Sequence, residues 1–245
     1  MRPKRPRAAA AAAAMLLAGV WAAPAEAAAA LEVSPVLLDV LAPGATGTVN
    51  LKNDDARPTT LQVRLFHWVQ AGGQERYEPT QDVVASPPIA TVQPGATLTV
   101  RVIRAAETPV KGEESYRLVV DQLPEADRSG RAKVSMLLRQ VLPVFFAEPD
   151  RSAPQITWSL ARGAKGYELR AHNEGDQRLR VARVTLSGAG GGTVTLGGGL
   201  LGYVLGHADM SWTIGKAIRP GATVTLRCES DHGDLRATAP VSAAR

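Results

Sequence analysis

Period-two alternation of apolar and polar residues runs through most of this chain. Thr48-Val-Asn-Leu-Lys52, Leu61-Gln-Val-Arg-Leu65 and Leu98-Thr-Val-Arg-Val102 each place their apolar residues on one face, as do Tyr167-Glu-Leu-Arg-Ala171 and Thr223-Val-Thr-Leu-Arg227. In a strand successive side chains point to opposite faces, so these segments predict half-buried antiparallel strands. Pro and Gly punctuate them at Pro43-Gly44, Gly72-Gly73, Pro87-Pro88, Pro94-Gly95, Gly190-Gly-Gly192 and Pro220-Gly221. Beyond the first residues no long stretch holds a 3.6-residue period. The fold class expected is all-β, with short strands and turns in the manner of a sandwich.

One small motif recurs. Pro43-Gly-Ala-Thr46, Pro94-Gly-Ala-Thr97 and Pro220-Gly-Ala-Thr223 each precede an alternating strand. Proline presets φ for the first turn position and glycine accepts positive φ at the next, so each motif reads as a tight turn feeding a strand. Two copies in the first half and one near the end fit two sandwiches of roughly a hundred residues each. The boundary is placed in the polar, proline-bearing stretch Ala147 to Pro154, giving domains 28–148 and 149–245. Gln122 to Lys133 and the glycine-rich Gly188 to Gly199 read as exposed loops.

The first residues change the charge argument. A basic block from Met1 to Arg7, an apolar run from Ala8 to Ala23 and the small-residue triplet Ala25-Glu-Ala27 make a secretory signal peptide over 1–27. That segment holds four basic residues and one acid, so its removal takes the formal charge from +5 to +2. The high isoelectric point then belongs mostly to the leader, and nucleic-acid binding loses the dense basic patch it needs. No second apolar run reaches membrane-spanning length, so no membrane span is expected in the mature chain. Cys228 is the single cysteine. It shares a face with Val224 and Leu226 and reads as a buried structural thiol.

Lys133-Val-Ser-Met-Leu-Leu-Arg-Gln-Val-Leu-Pro-Val-Phe-Phe146 is long for a strand and apolar on both faces. Val134, Met136, Leu138 and Leu142 lie on one face, Leu137 and Val141 on the other. Such a strand is either covered twice within its own molecule or left for a partner. Pro143 lacks a ladder donor, which favours an edge. The residues alone leave both arrangements open.

In order and spacing, a set of motifs resembles the periplasmic chaperones of chaperone–usher pilus systems, and most closely their archaic branch, associated with spore-coat-U-type fibres. The set comprises Leu31-Glu-Val-Ser-Pro-Val36, Leu61-Gln-Val-Arg-Leu-Phe-His-Trp68, Ser86-Pro-Pro-Ile89, Val92-Gln-Pro-Gly95, Glu114-Ser-Tyr-Arg-Leu118 and Leu142-Pro-Val-Phe-Phe146. It covers nearly all of the first domain; the second matches more thinly, at His172-Asn173, Gly202-Tyr-Val204 and the last Pro-Gly strand. The resemblance implies two immunoglobulin-like sandwiches forming a boomerang with a cleft between them. It implies donor-strand complementation, in which an edge strand completes an unfinished pilus or fimbrial subunit in a one-to-one complex that an outer-membrane usher then receives. By position Val134, Met136 and Leu138 match the donor residues, and Leu142 extends the row.

The pattern departs from better-known members in one respect. They hold the subunit's terminal carboxylate with an arginine on the first strand and a lysine late in the donor strand; here those positions carry Leu37 (or Pro35) and Pro143. Arg117 is the substitute candidate, followed by Arg104 and Arg101, because a guanidinium holds a carboxylate through two parallel hydrogen bonds. No catalytic residue, cofactor or metal site is expected: the four histidines are scattered, and no nucleophile elbow or phosphate-cradling loop occurs. The alternative reading is a secreted fibre subunit or adhesin, against which stand two domains and a lone cysteine. Met136→Asp is expected to abolish subunit capture in pull-downs while circular dichroism stays native, since a charge in the donor row would have to enter the subunit's core.

Overall fold

The computed structural model describes residues 31–124, 137–163, 166–215 and 218–242. It is all-β, with two β-sandwich domains. The first holds β1 (Leu31–Ser34), β2 (Leu38–Leu41), β3 (Thr46–Asn53), β4 (Thr59–Ala71), β5 (Gln74–Pro79), β6 (Val83–Ser86), β7 (Ile89–Val92), β8 (Thr97–Arg104), β9 (Glu113–Gln122) and β10 (Arg139–Ala147). The second holds β11 (Ile156–Gly163), β12 (Gly166–Asn173), β13 (Leu179–Gly188), β14 (Thr193–Val204), β15 (Asp209–Ile214), β16 (Thr223–Ser230) and β17 (Gly233–Ser242).

In the first sandwich one sheet runs β1-β3-β8-β6 and the other β2-β10-β9-β4-β5, with β7 also on β4. Between them the alternating faces meet: Val49, Leu51, Val100 and Val102 from one sheet pack with Leu61, Val63, Leu118, Val120, Leu142, Val144 and Phe146 from the other. Each such buried side chain contributes on the order of 1.5–3 kcal/mol over its exposed state. The chain changes sheets through the bend at Val36 and Leu37, so β1 lies antiparallel on β3 while β2 lies parallel on β10. The second sandwich follows the order β14-β13-β16-β17-β11-β12-β15, and β17 joins its two halves through a short parallel pairing with β11.

Both domains close one corner with the same device. Asn53 at the end of β3 accepts the N–H of Asp55 at 3.0 Å and donates to the carbonyl of Arg57 at 2.8 Å. Asn173 at the end of β12 accepts the N–H of Gly175 at 3.0 Å and donates to the carbonyl of Gln177 at 2.8 Å. An Asn amide offers a donor and an acceptor at once, so each residue binds the backbone two and four positions on and satisfies its own buried amide.

The strands predicted at 48–52, 61–65, 98–102, 167–171 and 223–227 lie within β3, β4, β8, β12 and β16. Two of the three Pro-Gly turns place glycine at positive φ, Gly95 at 70° and Gly221 at 68°. The first copy differs: its Ala42–Pro43 bond is cis, and Gly44 is outside the positive-φ set. The glycine-rich loop is also shorter than expected. The turn occupies the residues between β13 and β14, whereas Gly197 to Gly199 lie inside β14, opposite register shifts in β13. Trp158 and Trp212, distant in sequence, stack in the second core at 6.3 Å between ring centroids. Asp231 and His232 make the β16–β17 hairpin turn.

Cys228 is buried, and burial pushes its thiol from 9.0 up to about 11, with the charge of Asp234 adding to the rise. The neutral thiol is thus the form the fold prefers. The stability it confers is complete below the unfolded value and is lost as pH climbs from about 9 toward 11. A maleimide at about pH 8 should label the denatured chain and spare the native one, and urea midpoints should fall across that alkaline window.

Candidate functional site

The first domain's second sheet ends in a strand with one edge partly open. β10 pairs antiparallel with β9 from Arg139↔Asp121 to Ala147↔Glu113. On its other side β2 covers only Val144 to Ala147, in register with Leu38 to Leu41. Over Arg139 to Pro143 no described strand lies on that side. Antiparallel neighbours alternate between pairs that exchange hydrogen bonds and pairs that do not. The N–H of Gln122 donates to the carbonyl of Leu138 at 3.0 Å, so the even-numbered residues of β10 bond to β9. The N–H and C=O groups of Arg139 and Val141 therefore point outward, and the carbonyl of Ala147, on the same outward side, accepts from Ala42 of the β2 chain at 2.9 Å. Pro143 falls where the open stretch meets the covered one; its ring nitrogen faces outward, so β9 loses no donor there.

Side chains follow the same parity. Leu142, Val144 and Phe146 point into the domain's own core. On the opposite face Leu137 is 46% exposed and Val141 37% exposed. This bears on the last member of the donor row alone. Leu142, placed in it by sequence, is 5% exposed and packed within its own sandwich, so its side chain is already spent. Leu138 is half-buried, while Val134 and Met136 lie outside the described residues. Sequence analysis named Leu137 and Val141 only as the far face. Which face a two-sided apolar strand turns outward depends on its partner's register, which periodicity does not encode.

The arginine candidates separate. Arg104 donates to both carboxylate oxygens of Glu114, at 2.8 and 2.7 Å, and to the carbonyl of Ala106 at 2.8 Å, so its fork is consumed within the domain. Arg101 is exposed on the other sheet, opposite Thr48 and Ser86. Neither reaches the β10 edge, which corrects their placement as anchors. Arg117 does: it stands directly opposite Pro143, at the end of the open stretch. Its guanidinium lies flat over Trp68 at 3.5 Å from the ring centroid, and Nη2 is 3.6 Å from Glu75. Its Nε is buried without a hydrogen-bond partner among the described residues. Leu37, at one family anchor position, packs against the apolar seam instead.

That seam joins the domains beside the open edge. Trp68 and Phe145 from the first domain meet Tyr203, Leu205 and Ala208 from the second; Trp68 and Tyr203 are edge to face at 5.6 Å. The amide of Gln70 donates to the carbonyl of Tyr203 at 2.8 Å and accepts the N–H of Leu205 at 3.0 Å. Gly73 at the β4–β5 turn, with φ of 75°, receives the N–H of Ser211 on its carbonyl at 3.1 Å, and a Cβ there would lie 2.5 Å from the Ser211 hydroxyl. Arg178 donates to Glu113 at 2.6 Å and to Asp39 at 2.7 Å and stacks over Phe145 at 3.6 Å. Burial pushes the Glu113 carboxyl above its ordinary range, against the opposing charge of Arg178 and the hydrogen bond from its backbone N–H.

A profile of the pili and flagellar-assembly chaperones, PapD N-terminal domain, matches residues 30–152. The chain belongs to this chaperone family. A curated relative, the uncharacterized fimbrial chaperone YhcA of Escherichia coli K12, is 29% identical over 136 residues, which is 55% of this chain and 57% of that protein. The alignment thus spans little more than half of the relative's length. Among solved structures, the CsuC–CsuE chaperone–tip adhesion subunit complex of the archaic Csu pili of Acinetobacter baumannii shares the fold at TM-score 0.67, 21% identity, covering 88% of this chain and all of that one. The SafB chaperone with SafA pilin of Salmonella enterica does so at TM-score 0.59 and 15% identity, covering 85% and 95%. Among the described residues no helix is long and apolar enough to cross a membrane.

Arg178→Ala would leave the buried Glu113 carboxylate with Arg151, 3.3 Å away, and the backbone N–H of residue 178 as its partners. Urea unfolding should therefore show a loss below the roughly 3–5 kcal/mol of a fully broken buried pair, rising toward that range when Arg151→Ala is added.

Proposed function

We propose that this protein is a periplasmic chaperone of the archaic chaperone–usher branch that captures pilus or fimbrial subunits by donor-strand complementation and passes them to an outer-membrane usher. The observation that carries this reading is the open edge of β10. Outward N–H and C=O groups at Arg139 and Val141 form a template for an incoming strand, and Leu137 and Val141 beside it offer apolar side chains. Soluble proteins ordinarily blunt such an edge. The signal peptide over 1–27 delivers the chain to the compartment where the subunits fold.

β2 gives the site an end. A strand added along β10 toward β2 must stop where Leu38 begins, beside Pro143 and Arg117. A subunit's C-terminal carboxylate would arrive there, next to the one guanidinium of the three candidates that borders the open stretch. Arg117 is therefore the anchor in this reading, replacing the basic residues that Leu37 and Pro143 lack. Family membership sets aside the fibre-subunit alternative.

Co-expression with a small secreted pilus subunit that it serves should yield a one-to-one complex on gel filtration. Val141→Asp should lower subunit affinity about 10- to 100-fold, the equivalent of one buried apolar side chain, and Arg117→Ala should weaken capture of a subunit with a free C-terminus. A Val141→Asp variant that still forms the wild-type amount of complex would overturn the donor assignment.

A further inference from the structure

Arg117 points the wrong way for a waiting anchor. Its strand, β9, lies between β10 on one side and β4 then β5 on the other. The guanidinium is not over Pro143, its neighbour on β10, but over Trp68 of β4, and it reaches toward Glu75 and Tyr77 of β5. Strands in a sheet are ~4.8 Å apart, so Glu75 draws the cation across the sheet, away from the open edge.

We infer that Glu75 is an internal carboxylate that parks Arg117 over Trp68 in the free protein and must be displaced when a partner's terminal carboxylate binds. The inference rests on the reading of Arg117 as the anchor. Three features fit a contact built to be exchanged. It is a single approach of 3.6 Å, whereas Arg104 and Glu114 make a two-pronged fork at 2.7 and 2.8 Å. Among the described residues Glu75 is held otherwise only by the Tyr77 hydroxyl at 3.5 Å, and it sits on an edge strand, so it can turn to water without disturbing the core. Arg117 is 11% exposed on its side chain and keeps a buried Nε without a partner among the described residues, which an arriving carboxylate would satisfy in a bidentate grip. The Trp68 face holds the cation through the exchange, since cation–π attraction persists as the counter-ion changes.

The full-length mature chain can test this by calorimetric titration with the peptide acetyl-Val-Thr-Val-Thr-Val-Tyr, as free acid and as carboxamide. Glu75→Gln should bind the free acid about 2- to 5-fold more tightly than wild type, the scale of one partly exposed ion pair. The carboxamide should bind both proteins alike. Arg117→Gln should lose the preference for the acid. Equal affinity of wild type and Glu75→Gln for the acid, with the preference still lost in Arg117→Gln, would overturn the parking role and leave the anchor standing. An unchanged acid preference in Arg117→Gln would remove the anchor and this inference together, whereas loss of acid binding in Glu75→Gln while wild type still binds would overturn the parking role alone.

Discussion

Backbone donors and acceptors along a strand edge must be met by something, and in β10 the described residues meet only part of that requirement. β9 serves one side from end to end, while β2 serves four residues of the other. The inward face of β10 is bound into its own core through Leu142, Val144 and Phe146, so the strand is held firmly while one margin stays available. Rigidity behind an open edge lowers the ordering cost of association, because the template is already in its bound geometry.

The placing of Arg117 follows from the same strand. Parity puts it on the face opposite the first-domain core, register puts it beside Pro143, and the proline marks where β2 takes over the edge. Position, cation and apolar row therefore converge on one end of one strand. Trp68 contributes twice, as a wall of the interdomain seam and as the surface on which the guanidinium rests.

Much of the fold was legible because alternation is a local signal. The segments 48–52 and 223–227 became strands at the expected places since their own side chains dictate a buried face. The site was less legible. Leu142 and Val141 are neighbours of equal hydrophobicity, and only the pairing of β10 with β9, some twenty residues upstream, decides which of them turns inward. Arg104 and Arg117 likewise look alike in sequence; Glu114 claims the first through a rim contact that spacing does not announce. Glu75, Gln70 and Arg178 carried no signal, because their partners lie on strands brought close only by the finished sheet or by the second domain. The signal for a seam existed in the unbroken Val144-Phe-Phe146 run, which is apolar on both faces and so needs cover on both.

The Gln70 amide has a consequence for how such proteins can change over time. Its two hydrogen bonds go to the backbone of the second sandwich at Tyr203 and Leu205, so they survive almost any change of side chain there. Arg178, by contrast, reads two specific acids, Glu113 and Asp39, in the first. Half of the seam thus tolerates drift on the far side and half does not. Recombining halves between relatives would keep the glutamine clasp for free but must carry the arginine and its acids as one inherited unit.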